Sequence, residues 1–181
     1  PYCSNPVEIA NYKNEISTDQ WINAMREARE MGCVQLGFTG GEPLVRNDLE
    51  ILVEEANNLG YYSNLITSGI GFTEKRLEIL KEKGLDAIQI SFQSEKGDTN
   101  DYISGRKNSF EDKYKMAKYI KQFDFPLTFN IVLHRHNIDN IENILEMAIE
   151  LKADYIELAN TQFSGGFALH NKDYLLPTYE Q

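Results

Sequence analysis

The sequence is poor in residues that staple or break a chain. Its 181 residues include 2 cysteines, 5 prolines, 3 histidines and 1 tryptophan. Two cysteines cannot make a disulfide framework, which makes a reducing cytoplasm the default compartment. Positive charge is scarce: 18 Lys and Arg stand against 28 Asp and Glu, a formal net charge of −10. A nucleic-acid backbone or an anionic membrane as main partner would demand a basic face, so the charge argues against both, leaving room only for a local basic patch. No apolar run approaches the roughly 18 residues of a membrane span, and the first residues lack a charged-then-apolar signal pattern. Low-complexity segments and short repeats are also missing. What remains is the ordinary composition of a globular chain, 41% hydrophobic and 25% charged, long enough for one domain with a substantial core.

Within that composition there is a rhythm. Apolar, β-rich runs occur at CVQLGF (33–38), YSNLIT (62–67), AIQISF (87–92), LTFNIVL (127–133) and YIELA (155–159). Between them lie charged stretches with apolar residues at helical spacing, such as Leu49, Leu52, Val53, Ala56 and Leu59. Strand and helix in alternation predict parallel βαβ units. Ser17 with Gln20, Asn47 with Glu50, and Asp139 with Glu142 read as capping boxes at helix starts. Gly32, Gly60 and Gly84 read as helix stops. The strands carry apolar residues on both faces, as expected where helices cover them.

Five such units fit either an open doubly wound sheet or part of a barrel. The strand exits favour the barrel. Nearly every one is polar or glycine-rich: TGGEP, TSG at 67–69, SFQS at 91–94, HRHN at 134–137 and NTQ at 160–162. Chemistry gathered at many C-terminal strand ends is a barrel trait, whereas a doubly wound sheet concentrates it at one crevice. Five strands do not close a small barrel, so a sixth strand before Pro1 is expected.

GFTGGEPLVRND (37–48) is the strongest motif. Gly40 and Gly41 let a ligand approach the backbone without a Cβ in the way. Glu42 places a carboxylate beside that backbone, and Pro43 fixes the chain direction. Carbonyls and a carboxylate together suit an ammonium group; the same glycines equally suit a plain tight turn. No Gly-Lys-Ser/Thr follows, so this is not a phosphate loop. Cys3 stands one residue after Tyr2, and Cys33 reads as strand packing. His134 and His136 could share one side of a strand exit, but zinc needs a third ligand. A rim or surface role is the expectation. Arg106, in ISGRKN, is either solvated or a bidentate clamp for a carboxylate.

PYCSNP (1–6) followed at a distance by TGGEPL resembles the radical S-adenosylmethionine (SAM) superfamily, whose members carry a C-x3-C-x-aromatic-C loop and a GGEP-type turn. Tyr2 matches the aromatic and Cys3 the third cysteine. The segments CSNP, ISFQS, NIVLHRHNID and IELANTQFSGGFALHNKDYLLPT are further similar to the pyrroloquinoline quinone (PQQ) biosynthesis protein E family. The resemblance implies an α/β fold, a partial (β/α)6 TIM-like barrel. Residues 1–181 would be a truncated core domain, lacking the first strand, two cluster cysteines and the C-terminal domain of extra iron–sulfur clusters. It implies a [4Fe–4S] cluster ligated by Cys3 and two upstream cysteines, with SAM on the fourth iron. Tyr2 would lie against adenine, and Gly40, Gly41 and Glu42, shaped by Pro43, would hold the SAM amino group. Ser91 and Gln93 would meet its ribose or methionine end, and Arg106 its carboxylate. Ser68, Asn130, Asn160 and Thr161 would line the same mouth, with capping and turn chemistry as the competing explanation.

The implied activity is oxidoreductase chemistry: reductive cleavage of SAM to a 5′-deoxyadenosyl radical, and a carbon–carbon bond between glutamate and tyrosine side chains of the PQQ precursor peptide. That peptide and a small peptide-carrier protein are the implied partners. A chain starting at Pro1, with one cluster cysteine, is expected to hold neither cluster nor SAM and to be inactive. Its open edge invites an edge-strand dimer. Another radical SAM peptide maturase, or a fragment acting only as a peptide- or carrier-binding module, is the alternative. An aldolase-type barrel would need a catalytic lysine or metal site, and none is evident.

Overall fold

The computed structural model describes residues 2–12, 14–164 and 166–181, with only the backbone of Ala10. Five strands alternate with helices. They are β1 (Gln35–Phe38), β2 (Tyr62–Thr67), β3 (Ala87–Phe92), β4 (Leu127–Leu133) and β5 (Tyr155–Asn160). The main helices are α1 (Thr18–Glu30), α2 (Leu49–Asn58), α3 (Glu74–Glu82), α4 (Gly97–Ser104), α5 (Ser109–Gln122) and α6 (Ile141–Glu150). Two short ones, α7 (Gly166–His170) and α8 (Lys172–Leu175), end the chain.

Every strand pair is parallel, and the spatial order is β1-β2-β3-β4-β5. That order decides between the two architectures. A doubly wound sheet reverses direction once and so carries helices on both faces. Here the order never reverses, so right-handed crossovers stack the helices on one side. The sheet curls into a half-barrel with one bare concave face.

The convex face forms the core. Ile88, Ile90, Phe92, Leu127, Phe129 and Ile131 are fully buried against Leu77, Leu80, Ala117, Ile120 and Ile144 from the helices. A second cluster, Met25, Leu52, Ala56 and Tyr61, seats α1 on α2, and the Tyr61 hydroxyl donates to the Met25 carbonyl at 2.6 Å.

Apolar residues do stand on both strand faces, as expected, with Ile66, Ala87, Val132 and Ala159 on the concave side, but helices cover only the convex one. Strand residues one apart point to opposite sides. The partners of the buried set, Asn64, Gln89, Ser91, Thr128, Asn130 and Glu157, therefore share the concave face.

Local signals fared unevenly. Ser17 forms the full capping box with Gln20. Asn47 and Asp139 do not cap: α2 and α6 start after Asp48 and Asn140, neither of which makes a side-chain cap bond. Asp48 is instead engaged by Arg46 and Thr18. Gly32, Gly60 and Gly84 take positive φ at the helix ends, as expected. Cys33 is exposed in the loop before β1, where its carbonyl accepts from Arg29; it does not pack in a strand.

Candidate active site at the strand exits

The site is built where the strands end. After β1 the chain turns through Gly40, at φ +128, a value that L side chains avoid. A Cβ there would meet nothing within 4 Å, so the backbone lies open to an approaching group. Pro43 opens a single 3-10 turn (Pro43–Val45) and buries itself under it.

Glu42 does not face a ligand freely. One carboxylate oxygen accepts from the Thr67 hydroxyl at 2.6 Å and the Leu44 amide at 3.2 Å. The other accepts from the amide and hydroxyl of Ser68, at 2.8 and 2.6 Å. A carboxylate has about four acceptor positions, and all are used within the chain. Glu42 is therefore a clamp joining the β1 and β2 exits, and Ser68 is part of that clamp.

The N-terminal loop closes onto this turn. Asn5, two residues beyond Cys3, donates from its side chain to the Gly40 carbonyl at 3.0 Å. The Asn5 amide lies 3.4 Å from the Cys3 sulfur. The Cys3 carbonyl accepts from Ala168 of α7 at 2.9 Å. Cys3 and the paired glycines, 37 residues apart in sequence by their numbering, thus share one rim.

Tyr2 continues the rim across the barrel. Its ring stacks on His134 beyond β4, with centroids 6.4 Å apart. Burial, and then the neighbouring Cys3, push its phenol up to about 12; Gln93 opposes this. Gln93 itself is fully buried, and both of its amide atoms lack a partner. Its backbone is held from both sides, by Asn100 at 3.1 Å and by Asn137 at 3.0 Å. Apart from its approach to the Tyr2 phenol, this buried amide has no hydrogen-bond partner, a costly arrangement unless something binds there.

His134 is also fully buried. Its Nδ1 accepts from the His136 amide at 3.2 Å, which places the ring proton on Nε2, and Nε2 has no partner. Burial, and then His136, push its pKa down to about 4. His136 turns away to the Tyr174 carbonyl at 3.0 Å. Among the described residues no three His, Cys, Asp or Glu could hold a metal together.

Asn160 ends β5 exposed, and Thr161 donates to the Leu133 carbonyl at 2.7 Å. Ser91 and Asn130 pair in register on the concave face below the rim, and Asn130 Oδ1 is buried without a partner. Arg106 does not join them. It follows the left-handed Gly105 and is exposed beside Gly71, Thr73 and Asp112, in a groove of about 350 Å³ between the β2–α3 loop and α5.

Two groups escaped sequence reading. Lys113 of α5 is fully buried and donates to the Ser91 carbonyl at 2.9 Å. Burial lowers its pKa to about 8, against Asp101 and then Glu42. Its position on the helix face with Ser109, Met116, Ala117 and Ile120 was the available signal. Glu157 is the other. A lone carboxylate interrupts the apolar run YIELA and lands on the concave face, where one oxygen accepts from Gln89 at 2.7 Å.

A model of the radical SAM superfamily matches residues 1–175. The chain belongs to that superfamily. Solved structures agree on the fold. Streptococcus suis SuiB bound to the precursor peptide SuiA is 21% identical, with a TM-score of 0.77 over 90% of this chain and 36% of that one. Native anSMEcpe with bound AdoMet and a peptide is 16% identical, with a TM-score of 0.73 over 89% of this chain and 47% of that one. Escherichia coli coproporphyrinogen III oxidase (HemN), a radical SAM enzyme, is 14% identical, with a TM-score of 0.68 over 99% of this chain and 47% of that one. The chain therefore spans less than half the length of each of these proteins. The superfamily implies a [4Fe–4S] cluster and SAM in the full enzyme. Among the described residues no helix is long and apolar enough to cross a membrane.

Proposed function

We propose that this chain is the SAM-binding half-barrel of a peptide-modifying radical SAM enzyme of the PQQ protein E type, which joins glutamate and tyrosine side chains of a small precursor peptide presented by a carrier protein. The observation that carries the reading is the Asn5–Gly40 bond, which sets Cys3 and the glycine turn on one rim beside the unpartnered Gln93 amide. Precursor-peptide and peptide ligands in two of the similar structures support the substrate class.

The rim residues fit the implied groups. Cys3 would supply one thiolate to the cluster. The open Gly40 backbone would receive the SAM amino group, the Gln93 amide its polar ribose or methionine end, and the Tyr2 ring its adenine. When bound, the cluster supplies an electron and SAM the hydrogen-abstracting group. The chain's own part is positioning. Glu42 holds the turn and frees the backbone, not its carboxylate, for the ligand. Lys113 ties the Ser91 carbonyl from below. Asn5 and Ala168 pin the cysteine loop. Arg106 would reach the SAM carboxylate only by leaving its groove, so Gln93 is the stronger candidate for that end.

The test has two arms. Calorimetric titration of the anaerobically reconstituted full-length enzyme with SAM should show saturable binding, weakened at least tenfold by Gln93→Ala. Reduced protein, SAM and precursor peptide should then give a peptide two hydrogens lighter, with the new bond between Glu and Tyr in fragment spectra. Absent SAM binding refutes the cofactor assignment; a bond elsewhere in the peptide refutes the PQQ assignment and favours a different maturase.

A further inference from the structure

The rim leaves one feature unused, the polar floor below it. Gln89 donates from Nε2 to Glu157 Oε2 at 2.7 Å, and its Oε1 accepts from Asn64 Nδ2 at 3.2 Å. The bond from β3 to β5 passes over β4, a span that two side chains cover because the face is concave. The carboxylate sets the direction of the whole chain of bonds. Ionised, it only accepts, so the Gln89 NH2 must face it and the Gln89 oxygen must face Asn64. The Asn64 NH2 then faces Gln89, which leaves Asn64 Oδ1 aimed away as an acceptor. That atom is buried and unpartnered. Beside it in register lies Gly37, which presents no side chain of its own and is bordered by Ile66 Cδ1, 3.7 Å from where a Cβ would stand. Asn130 Oδ1, on the strand partner of Glu157, is likewise buried and unpartnered. No described Lys, Arg or His pairs with Glu157.

The face thus carries two orphaned acceptors and one negative charge; its donors are the neutral Ser91 and Thr128 hydroxyls and the Asn130 amide, and no cation stands among the described residues to answer Glu157. A buried acceptor left unmet is costly, and a bound donor would recover that cost. A carboxylate or phosphate would be repelled. A hydrocarbon would leave the orphaned oxygens as they are. We propose that the concave floor recognises a cationic N–H donor of the substrate, an ammonium or guanidinium, with Glu157 as the specificity-determining residue and the Gln89 and Asn64 amides as its aligned support. This rests on the peptide-substrate reading and extends it: the recognised group belongs to a basic residue or amino terminus of the peptide, distinct from any acidic cross-linking residue. Gln89 sits two residues before Ser91, so the group would lie roughly 7 Å below that residue at the strand rise per residue.

The side-chain amide resonances of Asn64, Gln89 and Asn130 test this directly, with n-butylammonium and n-butylguanidinium as probes and n-butanol and butyrate as controls. Saturable shifts with the two cations, and none with the controls, are expected. Glu157→Gln should weaken cation binding at least tenfold while the backbone spectrum stays dispersed, and Glu157→Lys should transfer the response to butyrate. Equal shifts from butanol and butylammonium in the unaltered protein would overturn the proposal, whatever the variants do. So would cation binding unchanged in Glu157→Gln. SAM titration separates the two readings: SAM binding without a cation response sinks only the floor assignment, and a cation response without SAM binding sinks only the proposed function.

Discussion

Glu42→Gln separates a clamp from a ligand contact. In the wild-type turn the carboxylate accepts two backbone amides, Leu44 and Ser68, one on each oxygen. The glutamine side chain has one oxygen. Whichever way the substituted side chain rotates, one backbone N–H must oppose its NH2. The hydroxyls of Thr67 and Ser68 can rotate to accept; the backbone amides cannot. The longer bond, to Leu44 at 3.2 Å, is the one to be lost. Leaving that donor unmet costs about 1–3 kcal/mol, and the remaining bonds lose their charge assistance. A total of about 2–3 kcal/mol follows, or roughly 5–10 °C in melting temperature for a chain of this size. Urea unfolding without cofactors measures it, and amide exchange should accelerate at Leu44 before it does in the sheet. A ligand-facing carboxylate would leave unliganded stability nearly unchanged. A loss below about 0.5 kcal/mol, the usual scale of surface changes, would therefore refute the clamp and return Glu42 to direct SAM binding.

Three further outcomes are expected. The folded protein resists protonating His134 until about pH 4, whereas an unfolded histidine binds its proton near 6.5. Stability should fall as pH drops through that window, by up to about 3 kcal/mol, and equilibrium unfolding of His134→Gln over the same range should show a flatter profile. Lys113 runs the other way: its folded pKa of about 8 lies below the unfolded 10.5, so the unfolded chain holds more protons between them. Stability should rise with pH from 8 to 10.5, by up to about 3 kcal/mol, and chemical denaturation of Lys113→Met should lack that rise. Gly166, at φ +57, leaves no room for a methyl group against the Asn5 carbonyl. Gly166→Ala should detach α7 from the cysteine loop, seen as more than tenfold faster exchange of the Ala168 amide with sheet amides unchanged.

The strands were legible almost to the residue, because alternating apolar side chains and their turn signals are local properties. The barrel preference was legible in the polar strand exits and was settled by the unreversed strand order. Cys3, Tyr2 and the paired glycines could be named from their motif, yet only the Asn5–Gly40 bond brings them to one rim. The misread caps at Asn47 and Asp139 show the limit of local signals: each pattern lies one residue before the actual cap position, Asp48 and Asn140, and at the first site tertiary partners claim Asp48.

Residue order alone determined that this chain alternates strand and helix and carries a paired-glycine turn after its first strand, since both depend on neighbours in sequence. Tertiary structure alone decided that Glu42 ties two strands, that Arg106 stands apart, and that Gln89 and Glu157 meet across an intervening strand. Such contacts depend on sheet curvature and on which hydrogen bonds the surrounding chain has already satisfied, and neither is written in any local stretch of residues.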